Sequence, residues 1–167
     1  QLKREGIMKN GWYILAFVFA PSAFAAELPK EGSYDYTSCY TGTSNGMPFS
    51  KTHTSSSFET FGTNRSASPG GMFDKEAFRC VGMNASFDGQ RRGSWVCEAT
   101  DADGDKRVTY YSIGSDGKEI RETIVGSGKY EGMVTTGITS EQLGPFPTMK
   151  AGTFQGCGWQ TGTYKLK

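Results

Sequence analysis

The chain has 167 residues, 36% of them hydrophobic and 21% charged, with 18 Lys and Arg against 17 Asp and Glu. That size and balance suit one folded domain and exclude an intrinsically disordered chain. A formal net charge of +1 builds no long-range positive field, so nothing in the composition points to nucleic acid.

In chain order, residues 1–7 precede Met8 and read as an extension upstream of the natural start. Met8-Lys9-Asn10 then opens a short basic segment, an apolar run from Trp12 to Ala20 follows, and Ala23-Phe24-Ala25 supplies a small-x-small site. These are the parts of a secretory signal peptide over 8–25, with cleavage after Ala25. The apolar run is about half of the roughly 20 residues that a bilayer core demands, so no membrane anchor is expected after cleavage and the product is periplasmic or secreted. Cleavage removes three of the 18 basic and one of the 17 acidic side chains, leaving 15 against 16 in a single domain over 26–167. All four cysteines, Cys39, Cys80, Cys97 and Cys157, fall in that exported part, where oxidising conditions favour two disulfides. Their spacing lacks the close C-x2-C pairs of a zinc site, and neither a metal nor a cofactor is expected.

Ser33–Tyr40 and Ser50–Phe61 are the first strand candidates, with Gly-, Ser-, Asn- and Pro-bearing loops at 41–49 and 62–73. Four segments rich in Val, Ile, Thr and aromatic residues follow, Ala77–Phe87, Gln90–Ala102, Asp105–Ser115 and Lys118–Gly126, separated by Asp88-Gly89, Asp103-Gly104 and Asp116-Gly117. Asp-Gly between such segments is a strong hairpin signal, so the four form a meander. Asp101–Asp105 looks a little like a calcium loop, but its Gly is displaced and Ser112 stands where the bidentate Glu belongs; it reads as a plain turn. Ser127–Gly132 reads as one helical turn, Met133–Thr139 and Gly152–Lys167 as further strands, and 140–150 as a loop. No long segment has a 3.6-residue apolar period. About eight antiparallel strands predict an all-β, closed or nearly closed barrel, which removes exposed sheet edges. A β-sandwich is the alternative.

The segments Asp101-Ala102-Asp103-Gly104-Asp105, Gly126-Ser127-Gly128-Lys129-Tyr130-Glu131-Gly132-Met133 and Cys157-Gly158-Trp159-Gln160-Thr161-Gly162-Thr163-Tyr164 resemble a group of exported proteobacterial proteins of unknown function. That group is similar to the allene oxide cyclase-like and lipocalin-like small β-barrels. The resemblance covers roughly 95–167 and implies a barrel that holds an apolar or amphipathic ligand. It carries no catalytic residue onto this chain, and fold analogy alone assigns no function.

An inventory of catalytic groups is short. The one histidine, His53, lies in Lys51-Thr52-His53-Thr54, a polar stretch that reads as exposed surface. A Ser-His-Asp arrangement would have to use it. No Gly-x-Ser-x-Gly elbow, His-Glu-x-x-His motif or phosphate loop is present.

Two-residue Asp-Gly turns would place Cys80 opposite Cys97, Cys97 opposite Tyr110, and Ser112 opposite Arg121. One face of the meander then carries Phe78, Cys80, Asn84, Trp95, Cys97, Val108, Tyr110, Ser112 and Arg121; the other carries the charges Arg79, Glu98, Arg107 and Glu122. Burying charge costs more than exposing Val or Ile, so the first face is expected inside. Arg121 becomes its only mid-strand charge, a candidate anion clamp beside Tyr110, Trp95, Phe78, Asn84 and Ser112. The competing expectation is a solvated Arg121, or one paired with an internal acid. Cys80 and Cys97 fall on a non-hydrogen-bonded pair, about 4.5 Å apart at Cα. That predicts their bridge and, by elimination, Cys39 to Cys157, tying first strand to last. The functional expectation is a non-catalytic binder of a small amphipathic or carboxylate-bearing molecule. The alternatives are an allene oxide cyclase-like isomerase and a structural or envelope-interaction protein.

Overall fold

The computed structural model describes residues 28–144 and 146–167, so the signal-peptide reading of 8–25 lies outside the described residues. Eight antiparallel strands follow in order: β1 (Glu31–Pro48), β2 (His53–Ser66), β3 (Glu76–Phe87), β4 (Gln90–Thr100), β5 (Lys106–Ile113), β6 (Glu119–Gly126), β7 (Val134–Leu143) and β8 (Thr153–Lys165). One 3-10 turn, Gly128–Tyr130, links β6 to β7. All eight form a single sheet ordered β6-β5-β4-β3-β2-β1-β8-β7. It curls into a nearly closed barrel, with β6 and β7 as the facing edges; the sandwich alternative is set aside.

Three strands run on into segments expected as loops: β1 to Pro48, β2 to Ser66 and β7 to Leu143. Gly42 and Gly62 there, like glycines elsewhere in the sheet, act as seats for aromatic rings rather than as breaks. Across the ladders Gly42 faces Phe154, Gly62 faces Phe78, Gly82 faces Trp95, Gly156 faces Tyr40 and Gly162 faces Tyr34. At Gly62 a Cβ would collide with the Phe78 ring, and at Gly42 with Phe154 and the backbone of Glu59. Glycine in a strand marks such close approach.

The three Asp-Gly hairpins are of two kinds. Asp88 (φ 49°) and Gly89 (φ 81°) form the expected two-residue turn, with Phe87 opposite Gln90. At the second hairpin the Gly104 N–H donates to the Asp101 carbonyl (3.1 Å) and the Asp101 N–H to Asp105 (3.0 Å). At the third, Gly117 donates to Gly114 (3.0 Å) and Gly114 to Lys118 (2.8 Å). Each is a three-residue loop whose Gly takes the left-handed conformation and adds a bulge residue.

That shifts the register by one. Cys97 faces Thr109 rather than Tyr110, and a one-residue slip turns every side chain of a strand over. Arg107, Thr109 and Tyr111 point inward and are buried, while Val108, Tyr110 and Ser112, expected inside, point outward. The second slip pairs Arg121 with Tyr111 and restores β6, so Arg121 faces the interior as expected. It is not the only inward charge, because Arg107 faces inward as well.

One end of the barrel is plugged. Met72 and Phe73 from the β2–β3 connection and Tyr130 and Met133 from the β6–β7 connection pack on Tyr34, Tyr36 and Tyr164. Phe73 meets the rings of Tyr34 and Tyr36 edge-on at 5.0 and 5.3 Å. Each such ring contributes about 1.5–3 kcal/mol by burial. The opposite end, framed by 49–52, Asp88-Gly89, 114–118 and the β7–β8 connection, is open.

Both expected disulfides are present, with Cα separations of 4.0 Å for Cys80–Cys97 and 4.0 Å for Cys39–Cys157. Cys80 and Cys97 are buried on the inner wall, whereas Cys39 is exposed. The second bridge does not close the barrel. It joins β1 to β8, already hydrogen-bonded neighbours, and the seam lies between β6 and β7. Among the described residues no helix is long and apolar enough to cross a membrane.

Candidate functional site: an open cavity with two buried arginines

Alternation along the strands points a row of aromatic and small polar side chains at the barrel axis, and above the plug they enclose a cavity of about 440 Å³ open to the unplugged end. Its apolar walls are Phe58, Phe78, Trp95, Tyr111, Phe154 and the Cys80–Cys97 bridge. Trp95 and Tyr111 stack with ring centroids 5.2 Å apart and planes 8° from parallel. Phe58 packs against both Trp95 (6.3 Å) and Phe154 (6.2 Å). Hydroxyls and amides of Ser38, Thr60, Asn64, Asn84 and Gln160 fill the space between.

Two guanidinium groups line this cavity, in opposite circumstances. Arg107 is answered in full. Its Nε donates to Glu76 Oε1 (2.9 Å), Nη2 to Glu76 Oε2 (2.7 Å) and Nη1 to Thr109 Oγ1 (2.9 Å). The Glu76 side chain is 0% exposed and also accepts from Asn64 Nδ2 at 2.7 Å. Burial works against the charge on Arg107, and the Glu76 carboxylate outweighs it, raising the Arg107 pKa. The guanidinium also lies 4.3 Å from the centroid of the Phe73 ring.

The Arg121 side chain is 4% exposed, yet its nearest carboxylate, Glu119, sits 3.5 Å away at the edge of the cavity. Nη2 donates to Gln160 Oε1 at 2.5 Å, Nη1 lies 3.5 Å from the Tyr36 hydroxyl, and Nε is buried with no partner among the described residues. The group lies 4.9 Å from the Tyr111 ring centroid, extending the Trp95–Tyr111 stack into a continuous wall of π faces and cation. Burial opposes its charge, but Tyr111, Tyr36 and Glu119 raise its pKa. Burial pushes the Tyr36 phenol up, against the pull of Arg121, so it stays a neutral donor, bonded to Gln160.

Of the residues singled out from sequence, Arg121, Trp95, Phe78 and Asn84 line the cavity; Tyr110 and Ser112 do not, because of the register shift. Tyr111 takes the place expected of Tyr110. Phe58, Phe154, Tyr36, Gln160 and the Arg107–Glu76 pair were not foreseen. For Phe58 and Phe154 the signal was alternation within Gly- and Ser-rich segments, and for Arg107 it was the three-residue loop that shifts the register of β5.

His53 stands on the open-end turn with Nδ1 3.1 Å from both Ser50 Oγ and Thr52 Oγ1 and Nε2 3.5 Å from Asp88 Oδ2. Ser50 Oγ is itself taken by the backbone N–H groups of Thr52 and His53, which makes the cluster a turn motif. In the Asp101–Asp105 turn, the Asp101 carboxylate accepts the N–H groups of Asp103 (2.9 Å) and Asp105 (3.0 Å). Lys129 Nζ supplies the counter-charge, 2.7 Å from Asp101 and 2.8 Å from Asp103.

No protein-family model matches the chain, and comparison with curated proteins and with solved structures finds no similar one.

Proposed function

We propose that this is an exported, non-catalytic, lipocalin-like binding barrel whose cavity takes a small amphipathic molecule bearing a carboxylate. The observation that carries the proposal is the buried Arg121 guanidinium on the wall of a cavity with aromatic sides, its Nε without a partner among the described residues. A buried donor without a partner costs about 1–3 kcal/mol, and a carboxylate held by Nε and Nη would remove that cost with a charge-assisted bidentate contact. Phe58, Phe78, Trp95 and Phe154 would cover the apolar body. Two disulfides support an oxidising compartment, periplasmic or secreted.

Calorimetric titration with decanoate and with decanol tests the reading. Decanoate is expected to bind the more tightly. Arg121→Ala should weaken decanoate by roughly ten- to a hundredfold, and Arg121→Lys should restore part of the loss, because an ammonium lacks the fork. Equal affinity for acid and alcohol, or an unchanged Arg121→Ala variant, would overturn it.

A further inference from the structure

The cavity opens through a rim that is unusually apolar for loop tips. On the β1–β2 side Phe49 is 91% exposed, and on the β7–β8 connection Met149 is 83% exposed; Met47 and Phe146 beside them are also in the open. The two segments are tied together by the Ser44 N–H, which donates to the Gly152 carbonyl at 2.8 Å, and Gln155 Nε2 holds the Pro147 carbonyl of the β7–β8 connection back against β8 at 3.0 Å. The apolar tips therefore stand together on one side of the mouth. A fold of this size buries such side chains when it has the means; standing clear of the barrel, they mark a surface for something apolar.

The charges around the same rim have one sign to spare. Among its acids Asp88 lies 3.5 Å from His53, Asp116 pairs with Lys118 and Glu119 with Arg121, while the exposed Glu141 has no cation partner among the described residues. Its remaining cations, Lys51, Arg91, Arg92 and Lys150, have no acidic partner among the described residues. At the plugged end Lys129 is neutralised by Asp101 and Asp103 and Lys167 by Glu131, while Lys30 and Lys75 are without an acidic partner among the described residues.

We propose that the mouth docks on an anionic lipid surface, with Phe49, Met149, Met47 and Phe146 inserting at the headgroup–acyl boundary and Lys51, Lys150, Arg91 and Arg92 meeting the lipid phosphates. Apolar tips flanked by unpaired cations are the combination that holds a protein in a membrane interface. A second copy of the chain fits the rim poorly. A two-fold contact would set the same four cations against themselves. The inference needs no ligand in the cavity, though it gives an amphipath a path from bilayer to barrel that avoids water.

The test is co-sedimentation of the oxidised protein with vesicles of phosphatidylcholine alone or mixed equally with phosphatidylglycerol. Binding is expected to the mixed vesicles, to fall at 0.5 M salt, and to drop at least tenfold in Phe49→Ser/Met149→Ser and in Lys51→Gln/Lys150→Gln. The melting temperature of both variants should hold, because the side chains are exposed. Arg121→Ala should bind vesicles as the parent does, which separates this inference from the ligand reading. Equal binding to both vesicle types, an undiminished Phe49→Ser/Met149→Ser variant, or a dimer lost in that variant while vesicle binding persists would overturn it.

Discussion

The two ends of the barrel interior solve the same electrostatic problem differently. Toward the plug, Arg107 has a bidentate carboxylate, a hydroxyl and an aromatic face, and every part of its guanidinium is spoken for. Further toward the mouth along the strands, Arg121 is as deeply buried but has a single Glu119 oxygen at 3.5 Å, one amide oxygen and a free Nε. A closed network of the first kind holds a fold together, whereas an incomplete one is strained until something completes it. The difference locates structure at one end and capacity for binding at the other.

The largest effect that would break this contrast is at Arg107. Truncation strands Glu76, 0% exposed, as an unpaired buried carboxylate, and Arg107→Ala should lose about 3–5 kcal/mol of stability. Equilibrium urea unfolding measures it, and a loss under about 1 kcal/mol would mean that water reaches the plug. Replacing both partners, Arg107→Met with Glu76→Leu, should recover most of the loss.

A smaller effect probes the glycine seats. Gly62→Ala drives a methyl into the Phe78 ring and should cost about 1–3 kcal/mol by overpacking. Gly46→Ala in the same sheet, with nothing near its Cβ position, should be neutral or slightly stabilising. These seats explain what could be read from the sequence. The Asp-Gly turns and the dense Val, Ile and Tyr segments gave the meander, Cys80 opposite Cys97 and the inward Arg121. The reach of β1 and β2 was hidden because Gly and Ser read as punctuation when isolated from the ring across the ladder. The inner face of β5 was missed for a different reason. Asp-Gly serves both a two-residue turn and a three-residue bulged loop, and the Asp101-x-x-Gly104 spacing of a type I turn was the clue. Two successive slips cancelled at Arg121, so its correct placement rested on a compensation rather than on the turn geometry.

Acid should loosen the Asp101–Lys129 contact at the plugged end. Burial raises the Asp101 pKa, but the Lys129 ammonium and the Asp103 N–H outweigh it and hold the carboxyl below its ordinary value. A carboxylate depressed in the folded state contributes stability above its unfolded pKa of about 3.9 and loses that contribution as pH falls through the lower folded value. Tm should therefore fall more steeply below about pH 4 in the parent than in Asp101→Asn. Superimposable acid limbs would show that the Lys129 pair does nothing for the fold.

The smallest expected effect is the most discriminating. Arg121→Met keeps a long side chain against Tyr111 and gives up the contacts to Gln160 and Tyr36, both partly compensated because Tyr36 still donates to Gln160. It also removes a buried charge whose nearest carboxylate is 3.5 Å away. These terms oppose each other, so stability should change by less than about 1 kcal/mol in either direction. Urea unfolding of Arg121→Met beside Arg107→Ala therefore measures the asymmetry directly. A loss for Arg121→Met as large as that for Arg107→Ala would make Arg121 a structural residue, its free Nε a packing accident, and the two ends of the interior alike.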